Sequence, residues 1–201
     1  MHVVCNILFI GSDDMGSWLK SEMLELTNLQ SKDNKINTCS PCDVNFGTKV
    51  LSQNNKHVKF SVYSVNCQLS DFCQVVSNIE APNIVVVGYN LHKQLDLVDT
   101  LELIYYVDHL WPNTMLVLVG NEYQTHTSVQ TGNSNHMLNI KQTSYQQGKE
   151  LALSLNNIPF FVISNKPSID TMFGYFADYV IASVTNQSSL ESTTVVTESR
   201  Y

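Results

Sequence analysis

Positive charge is scarce in this sequence. Lys and Arg number 11 against 18 Asp and Glu, a formal net charge of −7 over 201 residues, and charged residues of all kinds make up 14%. A general nucleic-acid binder needs a basic face to neutralise phosphates, and adhesion to an anionic membrane by electrostatics alone needs the same, so neither role is expected. Long apolar runs are missing too: none approaches the ~20 residues that cross a bilayer. Met1-His2-Val3-Val4-Cys5 lacks a basic stretch followed by an apolar segment and a cleavage site. A secretory leader is therefore not expected, and the cytoplasm is the expected compartment. Cysteine shows no pairing pattern, since Cys5, Cys39, Cys42, Cys67 and Cys73 are an odd number, irregularly spaced. Cys39-Ser40-Pro41-Cys42 is formally a C-x-x-C, but its neighbours are polar and turn-like. A redox motif should lie between a strand and a helix start, and a zinc site needs a second pair or a His-x-x-x-His. The cysteines read as incidental, with redox or metal chemistry as the lesser alternatives.

What the sequence does hold is apolar periodicity. Hydrophobic residues are 43% of a chain the length of one domain, enough to bury a substantial core. Apolar runs at 3–10, 83–89 and 114–119 are continuous, and a further one closes the series at 158–163. Continuous runs suit strands buried on both faces of a mostly parallel sheet. Segments 46–51 and 57–65 flank Ser52-Gln53-Asn54-Asn55-Lys56, a hairpin signal, so this strand pair is expected to be antiparallel. Helical spacing lies between the strands. Met15, Leu19, Met23 and Leu26 recur at intervals of four, four and three. Leu97, Leu101, Ile104, Tyr105 and Leu110 carry a second helix, stopped by Trp111-Pro112-Asn113. A third spans 145–155, and a fourth spans 169–182 with Met172, Phe173, Phe176 and Val180 on one stripe. The alternation predicts an α/β domain over 1–183, with helices on both faces of the sheet. Two polar stretches stand apart: an insert at about 125–142, and a tail at 184–201 with little to bury, expected to be disordered. No internal repeat is present.

The order of these elements, together with local residues, resembles the Rab-type small GTPases of the Ras superfamily. Val44-Asn45-Phe46-Gly47-Thr48-Lys49-Val50-Leu51 and Lys56-His57-Val58-Lys59-Phe60-Ser61-Val62-Tyr63 are similar to the Rab segment between switch I and switch II. Pro112-Asn113 followed by Leu118-Val119-Gly120-Asn121 resembles the strand leading into the guanine-recognition motif. Gly148-Lys149-Glu150-Leu151-Ala152, Ile158-Pro159-Phe160-Phe161 and Ile163-Ser164-Asn165-Lys166 resemble the stretch that ends in the family's Ser-Ala-Lys loop. The likeness covers roughly residues 3–183 apart from the polar insert. It implies a Ras-like P-loop NTPase fold, with a mostly parallel six-stranded sheet and one antiparallel edge strand.

Carried residue by residue, the same resemblance implies a dismantled nucleotide site. The family's phosphate loop, G-x-x-x-x-G-K-S/T, reads Gly11-Ser12-Asp13-Asp14-Met15-Gly16-Ser17-Trp18 here. Ser17 stands for the lysine that reaches the phosphates and Trp18 for the hydroxyl that holds Mg²⁺. The switch I threonine falls at Pro41, and the family's D-x-x-G-Q becomes Ser64-Val65-Asn66-Cys67-Gln68. Gln68 is the only match to a catalytic residue. N-K-x-D appears as Asn121-Glu122-Tyr123-Gln124, so the carboxylate that accepts two hydrogen bonds from guanine is a neutral amide. Ser164, Asn165 and Lys166 are the best-kept remnant. Charge-assisted hydrogen bonds contribute ~1.5–3 kcal/mol each, and with two of them and the Mg²⁺ ligands lost, affinity should fall by roughly 10⁴–10⁶. Asp13 or Asp14 is expected to cap the helix that follows, with Trp18 covering part of the groove; the alternative is that both aspartates are solvated and Trp18 packs elsewhere.

The functional expectation is a pseudo-GTPase with no cofactor and no metal, which binds protein partners through the surface around its switch-like loops. Val44, Phe46, Tyr63 and Phe72 are the candidate partner residues, set against a reading of each as ordinary sheet packing. The alternative is a divergent GTPase that still binds GTP or GDP with Mg²⁺ and hydrolyses GTP slowly. A third possibility is a constitutive subunit whose fold is stable only within a complex. No cysteine lies beyond Cys73, so a prenyl anchor is not expected. Vesicle, ciliary or cytoskeletal transport is the setting the family implies, with any recruitment to membranes made by a partner.

Overall fold

The computed structural model describes residues 2–11, 25–28, 43–53, 56–66, 72, 80–92, 97–122 and 134–194. In chain order the elements are β1 (His2–Gly11), β2 (Glu25–Asn28), β3 (Asp43–Gln53), β4 (Lys56–Asn66) and β5 (Ile84–Asn90). There follow α1 (Leu97–Leu110), β6 (Met115–Asn121), α2 (Ser134–Ser154), β7 (Phe160–Ile163) and α3 (Lys166–Thr194). The strands form one seven-stranded sheet in the order β2-β3-β4-β1-β5-β6-β7. Strand β1 lies between β4 and β5 and is parallel to both, and β5, β6 and β7 continue in parallel. Strand β3 runs antiparallel to β4 in the expected hairpin, with Gln53 opposite Lys56.

The continuous apolar strands are buried on two faces by different helices. Cys5, Ile7 and Phe9 of β1, with Phe60, Ile84 and Val119, meet Ile169, Met172, Phe173, Phe176 and Val180 of α3. Leu8 and Ile10, with Val85, Val87 and Leu118, meet Ile104 and Val107 of α1 and Leu151 and Ala152 of α2. The α3 stripe works as its periodicity predicts. Phe173 places its ring 5.3 Å from Phe60 and 5.8 Å from Phe176, edge-on in both cases. Lys49 of β3, nearly buried, reaches over the Phe173 ring at 5.0 Å and pairs with Asp170 at 3.3 Å, which ties β3 to α3.

Four expectations need correction. The six strands read from the sequence are present, but β2 adds a further one outside β3. The antiparallel strand β3 is therefore one place in from the edge. Leu26, expected to close the first helix, lies in β2 opposite Gly47, where the ladder offered by β3 outweighs a weak helical preference. The 125–142 insert is not all loop, because α2 begins at Ser134, 11 residues before the expected start at 145. Met137, Ile140, Ser144 and Leu151 already carry that helix's spacing. The tail expected from 184 is in fact helix as far as Thr194. Ile181 and Val184 still pack on the core. The hydroxyls of Ser183 and Thr185 donate back to the carbonyls of Tyr179 and Ile181, at 2.9 and 2.7 Å, so these residues fit inside the helix. No Gly or Pro follows to stop it. Residues 195–201 lie outside the described residues.

Burial makes the core sensitive to alkali. Cys5 is wholly inside, and desolvation pushes its thiol from the ordinary 9.0 up to about 12. Tyr89 is also pushed up, by burial first and by Tyr145 second. In each case the folded protein keeps a proton that the unfolded chain releases. The stability is thus present below about pH 9 and is lost as pH rises toward about 12. Urea denaturation from pH 7 to about pH 10.5 should show a midpoint that holds and then falls, with a shallower alkaline loss in Cys5→Ala.

Candidate functional site

In an open α/β sheet a ligand crevice forms beyond the carboxyl ends of the strands, where successive connections leave in opposite directions. Here that point is the end of β1. The chain goes from β1 to the β2-β3-β4 side and then returns past β1 to β5. Gly11, Asn66, Asn90 and Asn121 end the parallel strands β1, β4, β5 and β6, and Ser164 follows β7. Asn90 and Asn121 are direct register partners.

Gly11 sits opposite Gly88 of β5. A Cβ at position 11 would run into the Gly88 carbonyl, with the carbonyl carbon 2.9 Å away. The glycine is thus required by the close approach of two strands, whatever the following loop does. The positions that the resemblance assigns to a phosphate loop, Asp13, Asp14, Gly16, Ser17 and Trp18, lie outside the described residues, as do Gln68 and Gln124. The expected cap by Asp13 or Asp14, and the expected cover by Trp18, fall there too.

The corner where the resemblance places the base is built from β6, α2 and the turn after β5. Asn121 is 1% exposed, and its main-chain carbonyl accepts from Leu91 N–H at 2.9 Å. Glu122 donates its own N–H to Ile163 O at 2.8 Å, fixing β6 against β7. Its carboxylate forms an ion pair with Lys141 Nζ from α2. Asn90 Oδ1 accepts from His92 N–H at 2.8 Å, a local Asx turn, and His92 Nε2 comes to 3.4 Å from the Glu122 carbonyl. Lys141 was not among the sequence candidates, because it lay in the stretch read as insert. The earlier start of α2 brings it here.

Ser164, Asn165 and Lys166 are exposed where β7 leads into α3, and polar groups of Ser164 and Asn165 serve the helix. Asn165 Oδ1 accepts from Ser168 N–H at 3.0 Å as an N-cap. Ser168 Oγ in return accepts from the N–H groups of Ser164 and Asn165 at 3.1 and 3.2 Å, and donates to Asn165 O at 2.7 Å. This is a capping box with serine in the place of glutamate.

On the hairpin side, Phe46 and Tyr63 are opposite each other across β3 and β4, half-buried, with ring centroids 5.0 Å apart. Val44 is opposite Val65 in the same ladder. Phe72, expected on the partner face, is instead fully buried, 6.1 Å edge-on from Tyr106 of α1, so it supports the sheet from within. Ser64, at the position of the family's metal-facing aspartate, is buried in β4. Among the described residues no group of three His, Cys, Asp or Glu side chains gathers as a metal site. Tyr89 of β5 crosses α2 at Gly148 and donates to Ser144 O at 3.0 Å, which explains why position 148 carries no side chain.

Compared with known proteins, the chain matches no protein-family model and no curated sequence. The structural roles of these residues can be separated by substitution. Gly11→Ala should cost about 1–3 kcal/mol in the ligand-free protein through overpacking, and Asn165→Ala about 0.5–2 kcal/mol through the lost cap. Urea denaturation measures both; a Gly11→Ala protein of unchanged stability would return that glycine to a ligand-binding role.

Proposed function

We propose that this chain is a Rab-like pseudo-GTPase that binds protein partners, with nucleotide binding lost or severely weakened. Support comes from the strand order, from the antiparallel hairpin beside the central β1, and from the switch point at the end of β1. The observation that carries the reading is the state of the base corner. Glu122, in place of the lysine that packs on the base, is ion-paired to Lys141, and Asn165 is committed to capping α3. A purine would have to displace interactions the protein makes with itself, at a cost in affinity for each polar group left unpaired. The half-buried Phe46–Tyr63 pair offers an aromatic contact on the hairpin for a partner such as a coiled coil or an adaptor. Transport of vesicles, or ciliary and cytoskeletal transport, is the setting by resemblance alone. The competing reading is a divergent GTPase. Asn121, buried at the end of β6 where the guanine motif begins, is the residue that favours it.

Two measurements separate these readings. Protein purified without added ligand, denatured and run on an ion-exchange column, should release no GDP or GTP; stoichiometric guanine nucleotide would sink the proposal. EDTA should leave the melting temperature unchanged, because there is no bound nucleotide or metal whose loss would lower stability by mass action. A fall of several degrees on chelation, restored by Mg²⁺ and GDP, would establish the divergent GTPase instead.

A further inference from the structure

Strand β7 ends the sheet, and its outer edge is open in a way the inner strands are not. Pro159 O and Ile163 O accept from Leu118 and Glu122 N–H of β6, at 2.9 and 2.8 Å. In a parallel ladder, alternate residues turn both main-chain groups to the same neighbour. Phe161, between these two, therefore also faces β6, while Phe160 and Val162 turn their N–H and C=O away from the sheet. Among the described residues no strand lies beyond them. Strand β7 is short, but two usual protections of an edge, proline and charge, are missing at these two positions. Neither is proline, and Phe160-Phe161-Val162-Ile163 carries no charge. Pro159 does not blunt the outer edge, because its nitrogen faces β6.

Apolar surface flanks this edge on both faces of the sheet. Tyr145 of α2 packs against Phe160 at 5.7 Å, and Tyr175 of α3 packs against Phe161 at 5.4 Å. Both tyrosines remain exposed, 41% and 43%, and Leu153 of α2 is 57% exposed beside them. Together they line a groove of ≈ 570 Å³ in which Lys149 is the one charged side chain among the described residues. The turn that delivers the chain into β7 is fixed: Asn156 and Asn157 take left-handed conformations (φ 57° and 61°), and Ile158 N–H bonds back to Ala152 O at 3.1 Å.

We propose that the outer edge of β7 receives an extended segment of another protein as an added strand, with alternate apolar side chains in the Tyr145–Leu153–Tyr175 groove and a carboxylate on Lys149. Main-chain bonds to Phe160 and Val162 give the register, and the aromatic flanks give the side-chain preference. Charge decides the occupant. Among the described residues the groove places a single cation on a chain of net charge −7, which suits an acidic segment. A second copy would bring another net charge of −7 and, across a two-fold, the same lysine rather than its complement. The inference is independent of the nucleotide question.

The test uses the full chain. Linear ten-residue peptides displayed on phage are panned against it, the selected sequence is synthesised, and the synthetic peptide is titrated into ¹⁵N-labelled protein. Selection of an alternating apolar sequence with Asp or Glu is expected, with amide shifts centred on Phe160 and Val162. Leu153→Asp and Lys149→Glu alter exposed positions that leave folding intact, and should weaken the peptide about tenfold and about fivefold. Val162→Pro removes one outward N–H without touching the β6 ladder and should weaken it by about fivefold. The proposal is overturned if no peptide is selected, if shifts map to the β2 edge or elsewhere, or if affinity is indifferent to Val162→Pro and Lys149→Glu. It is equally overturned if the free chain sediments as a dimer that Leu153→Asp dissociates, since the occupant would then be a second copy.

Discussion

Everything in this fold is arranged around a central strand whose second half has no solvent face. From Ile7 to Ile10, β1 is buried on both sides, with odd residues against α3 and even residues against α1 and α2. Two hydrophobic cores therefore share one strand, and neither can shift without disturbing the other. The same constraint reaches the end of the strand. Gly11 and Gly88 let β1 and β5 stay in register up to the point where the chain leaves the sheet. The polar end is consequently set by apolar packing behind it, whether or not anything binds there.

How much of this was legible from residues alone depended on whether burial or pairing governed the segment. The strand at 83–89, the helix over 97–110 and the α3 stripe from Ile169 to Val180 read directly, because a face buried on one or both sides leaves a periodic trace. Strand β2 left none: Glu25-Leu26-Thr27-Asn28 has no alternation strong enough to announce a strand, and it exists because β3 presents an edge. The extended C-terminal helix was obscured for another reason. Ser183 and Thr185 look like poor helix residues by composition, yet each places its hydroxyl on a carbonyl one turn back. Composition counts polar atoms but not where they find partners.

The candidate site divides in the same way. The row of asparagines at the strand ends follows from strand boundaries and was within reach of the sequence. The pairing of Glu122 with Lys141 was not, because it joins residues 19 apart through a helix that begins inside the polar stretch at 125–142. Asn165 is the instructive case. As a residue in a loop that resembles a nucleotide-binding loop it suggested a ligand contact, and as the residue before Lys166-Pro167-Ser168 it is an N-cap. Proline near the start of the helix and serine three positions after the asparagine were the local signals for the second role.

A nucleotide site keeps polar groups in reserve, since each donor and acceptor aimed at a ligand must go without a protein partner until the ligand arrives. At the described end of this sheet three residues are engaged internally: Glu122 with Lys141, Asn165 with Ser168, and Asn90 with the turn through His92. Such closure raises the stability of the empty protein and lowers the return on binding a small polar molecule. Among the described residues, further capacity lies at the margin of the sheet, in main-chain groups of Phe160 and Val162 and in half-exposed aromatic rings. Those groups reward an extended chain that can satisfy several of them in sequence. Among the described residues, this distribution of hydrogen-bonding groups is the physical ground for proposing a polypeptide as the ligand, and it stands without appeal to ancestry.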